Sequence, residues 1–261
     1  CRVISLRKTL AVARVSVLEL FRRRDVYVAI ILALIIILPL SFVNIFSVEG
    51  VVRYIQEMAV LLIWIFSIVI CVTNAARQIP GEIQRRTILP LLAKPIRRGE
   101  FVLGKFVGAA AAACTAVLIF YVCYAFLSGL KSGMWWTPVL GQAVLFHFLF
   151  ILVVTAMTLF GSLILTPSAN VTVSLLLVGG MLLFGQRLPE FAAAAPAPAS
   201  WVVWMLHAVL PHVEFFDLRL QLIHAWRPVP AGILMAVLGY ALVYTTAFLT
   251  AGIIVFNRKR V

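Results

Sequence analysis

Residues 139–165 read VLGQAVLFHFLFILVVTAMTLFGSLIL, a run without a single Asp, Glu, Lys or Arg. A bilayer core about 30 Å thick needs roughly 20 apolar residues to be crossed by a helix. This run satisfies that requirement outright. Five further segments meet it more or less: Val26 to Phe46, Met58 to Ala76, Phe101 to Leu127, Val171 to Gly185 and Ala231 to Phe256, of which the segment starting at Val171 is the shortest. The whole chain, 261 residues, is 64% hydrophobic and only 12% charged, with a mean hydropathy of +1.10. No soluble domain hides that much apolar side chain. The expected fold class is therefore an all-α polytopic membrane protein with six transmembrane helices.

The formal charge of +13 raises the question of nucleic acid, and its distribution answers it. Arg2, Arg7, Lys8, Arg14, Arg22, Arg23 and Arg24 precede the first span. Arg77, Arg85, Arg86, Lys94, Arg97, Arg98 and Lys105 cluster between the second and third, and Arg258, Lys259 and Arg260 follow the last. In a six-span topology all of these lie on one side, which carries the whole basic excess, while charges on the other side cancel. That is the positive-inside pattern, with both termini cytoplasmic, and it leaves no excess that calls for nucleic acid.

Residues 1–25 read as a cytoplasmic elbow helix on the membrane surface. Val3, Leu6, Leu10, Ala13, Val17, Leu20 and Phe21 share a face, with Lys8, Glu19 and Arg22 opposite. Spans one and two occupy 26–76, a basic insert 77–100, spans three to five 101–185, outer helices 186–229, and span six with a cytoplasmic tail 230–261. The loops Ser47–Glu57 and Ser128–Thr137 are short, and Trp135 and Trp136 sit at an expected membrane interface. Thr166 to Asn170 forms a tight inner turn. After the low-complexity FAAAAPAPAS, residues 201–226 read as two short helices broken at Pro211, too short to span. Cys71, Cys114 and Cys123 fall within apolar spans and pack there. Cys1, with no Met before it, is expected to mark a cloning or processing boundary rather than a lipid anchor.

Three kinds of chemistry are weighed and set aside. Gly99 to Lys105, GEFVLGK, matches part of a phosphate-binding loop, but Phe106 stands where a magnesium-binding hydroxyl belongs and no strand leads in. Gly104 and Gly108 instead make a GxxxG step for close helix packing. His207, His212 and His224 with Glu214 and Asp217 match no metal-ligand spacing, so no metal is expected. Within the spans the polar groups are neutral ones, including Asn44, Thr73, Asn74, Thr115, Thr155 and Asn170, with His147 the one titratable candidate. An ion-coupled carrier places a charge at mid-bilayer. The energy source is therefore expected outside this chain. Asn44, Thr73, Asn74 and Asn170 are kept as candidates for lining a pathway.

The insert, IPGEIQRRTILPLLAKPIRRGEFVLGK over residues 79–105, is then the informative segment. Pro80 and Gly81 are expected to open a short helix, with Glu82 suiting its N-terminus. Pro90 interrupts it and Pro95 closes the next piece. Ile83, Ile88, Leu89, Leu91 and Leu92 are too apolar for water and too few to span. They suit a groove on a partner protein, rimmed by Arg85, Arg86, Arg97 and Arg98. A plain basic loop against membrane lipid headgroups accounts for the charge but not for the leucines.

The run Glu82-x-x-x-x-Thr87, then Leu91-Leu92-Ala93-Lys94-Pro95-Ile96-x-Arg98-x-Glu100, then Leu103-Gly104-Lys105, resembles the signature between the second and third spans of ABC-2-type transporter permeases. Arg86 stands where that signature has Gly. The span count, surface helix and outer LPHVEFFDLR, Leu210 to Arg219, resemble the family as well, so the likeness covers essentially the whole chain. It implies a multi-pass permease subunit of an ABC exporter in the plasma membrane, the inner membrane of a bacterium or archaeon. It further implies two copies of a separate ATP-binding subunit and a second permease, identical or related. ATP and magnesium are expected on the ATPase, and no cofactor or enzymatic activity on this chain. The insert is implied to be the coupling helix, with Glu82, Arg85, Arg86, Thr87, Leu91, Leu92 and Pro95 as contacts and Arg98 and Lys105 as supports. The path is expected along the first, second and fifth spans, with the outer helices closing the exit. The rival readings are a non-transporting membrane scaffold for an ATPase complex and an ion-coupled secondary carrier.

Overall fold

The computed structural model describes residues 9, 11–15, 31, 49–84, 97–132, 135–194, 196–224 and 226–259. Among them all regular structure is helical. The long helices are α1 (Glu49–Gln84), α2 (Arg98–Ser132), α3 (Pro138–Ser162) and α4 (Pro167–Phe184). A 3₁₀ turn, Gly185–Arg187, leads into α5 (Leu188–Ala194) and then α6 (Ala199–Val209). A second 3₁₀ turn, Val213–Phe216, precedes α7 (Arg219–Ile223) and the closing α8 (Ala231–Arg258). Residues 11–15 are also helical. Five stretches of described chain are long and apolar enough to cross a membrane: Gln56–Ile83, Arg98–Phe126, Pro138–Ser162, Pro167–Ala194 and Ala231–Arg258. The first expected span, Val26 to Phe46, lies outside the described residues apart from Ile31, as do Asn44 and the insert residues Arg85, Arg86, Thr87, Leu91, Leu92 and Pro95.

Local signals explain the helix ends. Thr137 is extended (φ −128°, ψ 147°) and its hydroxyl accepts the Leu140 N–H at 3.2 Å, with Pro138 in the first turn, where a missing N–H costs nothing. Pro167 likewise takes the first turn of α4, after an extended Thr166 whose hydroxyl makes no capping bond. At the start of α2 the Glu100 carboxylate accepts the Arg97 N–H at 3.0 Å, and Arg97 O accepts from Phe101 N at 3.0 Å. That is the acidic half of a capping box.

Three boundaries differ from expectation. Residues 49–57, read as an outer loop, form the first turns of α1. Pro80 does not open a new helix: α1 runs through it to Gln84, so Glu82 lies in the last turn of a long helix rather than at the N-terminus of a short one. A proline inside an otherwise apolar spanning helix is tolerated when neighbouring elements supply the packing, and Ala76 and Ile79 beside it are fully buried. The segment from Val171 is not short either, because α4, the 3₁₀ turn and α5 together make a continuous helical stretch from Pro167 to Ala194. The break near Pro211 does occur, and the second half divides again into a 3₁₀ turn and α7.

The core forms around α3, which is 72% buried over its spanning window, against 28% for the α4 stretch and 22% for α8. Trp64, Phe120, Phe146, Phe150 and Phe216 pack at its centre. On α2 the small residues Gly104, Gly108, Ala109, Ala112, Ala113 and Ala116 are buried, which lets helices approach closely. Helices α1 and α3 run in the same direction, with Ser67 beside His147 and Cys71 beside Thr155.

Candidate functional site

The insert connects the end of α1 to the start of α2, and these two roots are joined to each other. Glu82, in the last turn of α1, forms an ion pair with Lys105 on α2. Lys105 is only 2% exposed and Glu82 14%. The ammonium also lies 5.9 Å from the centre of the Phe101 ring. A buried lysine needs such partners, since an uncompensated charge in low dielectric is costly. Lys105, counted in the sequence with the basic insert, is in fact one of the largest fully buried side chains among the described residues.

Arg98 binds a different helix. Its Nη1 donates to the carbonyls of Phe256, Asn257 and Lys259 at 3.0, 3.1 and 2.8 Å, and its guanidinium sits 5.7 Å from the Phe256 ring centre. Those carbonyls end α8, where the last turn has no helical N–H to bond and the helix dipole is negative. The cation thus closes α8 from the first residue of α2. Gly99 faces Ile253 of the same helix. Gly104 faces the N-terminal segment: a methyl group there would lie 2.6 Å from Val12 Cβ and 3.0 Å from Thr9 O. So α1, α2, α8 and the segment of Thr9 and Val12 meet at the mouth of the insert, drawn together by an arginine, an ion pair and a glycine.

Of the residues singled out in the sequence, Glu82, Arg98, Gly104 and Lys105 gather here, and Gly108 is buried farther along α2. The pathway candidates are scattered. The Thr73 hydroxyl donates to Val69 O at 2.6 Å within its own helix. Asn74 is buried, and its amide nitrogen has no hydrogen-bond partner. Asn170 Nδ2 donates to Thr158 O at 2.9 Å and its Oδ1 meets Ser174 Oγ at 3.4 Å, fastening α4 to α3. Gly161 makes the room for it, since a Cβ there would collide with Asn170 Oδ1. Glu100 and Arg97 form the cap missed in the sequence; the spacing of three between a backbone donor and a glutamate was the available signal.

His147 is fully buried in mid-bundle. The Ser67 hydroxyl donates to Trp64 O at 2.8 Å, which leaves its oxygen to accept from His147 Nε2 at 2.7 Å. Nδ1 then accepts from the Tyr121 hydroxyl at 3.1 Å. This assignment satisfies every group with a neutral imidazole and links α1, α2 and α3. At the end away from the insert, Gln142 makes two bonds to the backbone of Val229, at 2.9 and 2.8 Å. Asp217 grips Arg219, which lies 5.4 Å from the Trp64 ring centre. Of the three histidines between α5 and α8, His207 and His212 lie with ring centres 4.3 Å apart and His212 Nδ1 approaches Glu214 Oε1 at 3.1 Å, while His224 stacks on Trp226. Among the described residues no group of three metal-binding side chains converges.

Residues 3–261 match the family model described as ABC-2 family transporter protein. No curated protein gives a significant match to the chain.

Proposed function

The chain belongs to the ABC-2 transporter family, and from that premise we propose that it is the permease subunit of an ATP-binding cassette exporter, driven by a separate ATPase. Family members work with an ATP-binding subunit. In this reading two ATPase copies dock on the inserts of two permeases, identical or related, in a prokaryotic inner membrane with both termini cytoplasmic. Six spans, one of them over Val26 to Phe46, complete the topology. ATP and magnesium belong to the partner.

The observation that carries the reading is the joined root of the insert. A docking element transmits force only if its ends are fixed to the parts that move. Glu82–Lys105 holds the end of α1 to α2, and Arg98 holds α2 to the end of α8. Displacement of the insert by an ATPase would then be felt by three helices at once. Leu91 and Leu92 supply the apolar contact with the ATPase, with Arg85, Arg86, Thr87 and Pro95 around them. The distribution of basic residues supports placing this end on the cytoplasmic side.

The test is reconstitution with the cognate ATPase. Leu91→Arg is expected to abolish complex formation and the coupled ATP turnover. Unaltered assembly and turnover would refute the assignment. Assembly without substrate-dependent turnover in the unmodified pair would instead favour a scaffold, and gradient-driven flux by this chain alone a secondary carrier.

A further inference from the structure

We propose that a recess between α2 and α3, at the end of the bundle away from the insert, binds one acyl chain of a membrane lipid. The recess encloses about 320 Å³. Leu118, Val122 and Phe126 of α2 form one wall, Leu140 and Val144 of α3 the other, and Trp135 and Trp136 close the end.

The two tryptophans are seated by design of the neighbouring helices. A methyl group at Gly129 would lie 2.5 Å from the Trp135 ring, and one at Gly141 3.0 Å from the Trp136 ring. Phe126 and Trp135 meet edge to face at 5.8 Å. Glycine at both positions therefore lets the rings lie flat against α2 and α3 and shape a fixed wall. Tryptophans at a helix end are the usual markers of interface depth.

The lining chooses the ligand. Sites for small polar molecules combine apolar walls with a few polar groups that orient the ligand. The recess has one hydroxyl in its lining, that of Tyr121, and it is turned into the bundle and bonded to His147. The recess is an open groove, so what fills it comes from the surroundings of these two helices. The mouth lies on the flank of two membrane-crossing helices, beside Val122 at 61% and Phe126 at 56% exposure. At that place hydrocarbon has access and needs no hydrogen bond. A second copy of the chain has broader apolar faces available on α4 and α8, which are far less covered than α3.

The experiment uses the complete transporter in phosphatidylcholine vesicles that carry a trace of phospholipid with a photoreactive group on its acyl chain. Peptides containing Leu118 to Phe126 and Trp135 to Val144 are expected to be labelled more heavily than the exposed Leu176 to Leu183 stretch of α4. Ala125→Phe, which fills the recess, should reduce that excess several-fold and leave the α4 labelling as it was. Val122→Trp, at the exposed rim, gives a second reading should Ala125→Phe disturb the fold. Equal labelling of both regions, or indifference to both substitutions, overturns the site. Disulfide formation between two copies carrying Val122→Cys, with no lipid labelling, overturns it in favour of a permease interface. The labelling depends on membrane insertion alone, so a failure of ATPase coupling leaves this test intact.

Discussion

Removing the Glu82 carboxylate should cost more than removing the Lys105 ammonium, although the two form one ion pair. Lys105 is 2% exposed and Glu82 14%. Glu82→Leu takes a carboxylate away from the buried cation, which keeps its remaining contacts but has little water to replace the lost charge. Losing one member of a buried pair typically costs about 3–5 kcal/mol. The partial exposure of Glu82 and the Phe101 ring near the ammonium reduce that to about 2–3 kcal/mol here. Lys105→Met leaves the carboxylate at a helix end where water reaches it, for about 1 kcal/mol. The double variant replaces both charges by apolar groups of similar size and should fall within about 1 kcal/mol of the parent. For a chain of this size those differences correspond to roughly 5 °C, 2 °C and at most 2 °C in melting temperature. Thermal unfolding of the purified complex in nanodiscs, run as a double-mutant cycle, reads all of them. Equal losses for the two single variants, or a double variant as unstable as their sum, would refute a pair defined by burial of the lysine.

Arg98→Leu should free the last turn of α8, seen as faster amide hydrogen exchange over residues 252–258. Arg98→Lys should restore only part of the protection, because the ammonium is a compact, strongly hydrated charge on a different stem from the guanidinium that stacks near Phe256. Gly161→Ala should destabilise by about 1–3 kcal/mol through collision with Asn170, and adding Asn170→Ala should recover part of it, a coupling that melting curves would reveal. His147→Phe should cost about 1–3 kcal/mol by taking from the Tyr121 hydroxyl its acceptor, while Ser67 keeps its bond to Trp64 O, with Tyr121→Phe partly compensating in the same measurement.

The spans were legible because hydropathy is a local property, and residues 139–165 carry it without interruption. Helix limits were less so. Pro80 reads as a breaker by its own chemistry, yet the helix passes it because Ala76 and Ile79 are locked in the core, which a local rule cannot register. The same holds for charge. Arg98 and Lys105 looked like parts of a basic surface, but one is bonded to carbonyls about 160 positions later in the chain and the other is enclosed by α1. Asn170 looked like a lone polar group on a path because its partner, the Thr158 carbonyl, belongs to the backbone and leaves no trace in the side-chain pattern.

The central position of α3 has a consequence for biogenesis. It is the most apolar of the five membrane-crossing stretches and also the most enclosed, so its oily side chains scarcely touch lipid in the finished bundle. Their hydrophobicity is needed earlier, when the nascent segment partitions from the translocon into the bilayer on its own, before any neighbour exists to cover it. The α4 and α8 stretches, less apolar, are far less covered by the rest of the chain. In this protein a segment's hydropathy is no guide to its exposure in the bundle, which is greater where the hydropathy is lower.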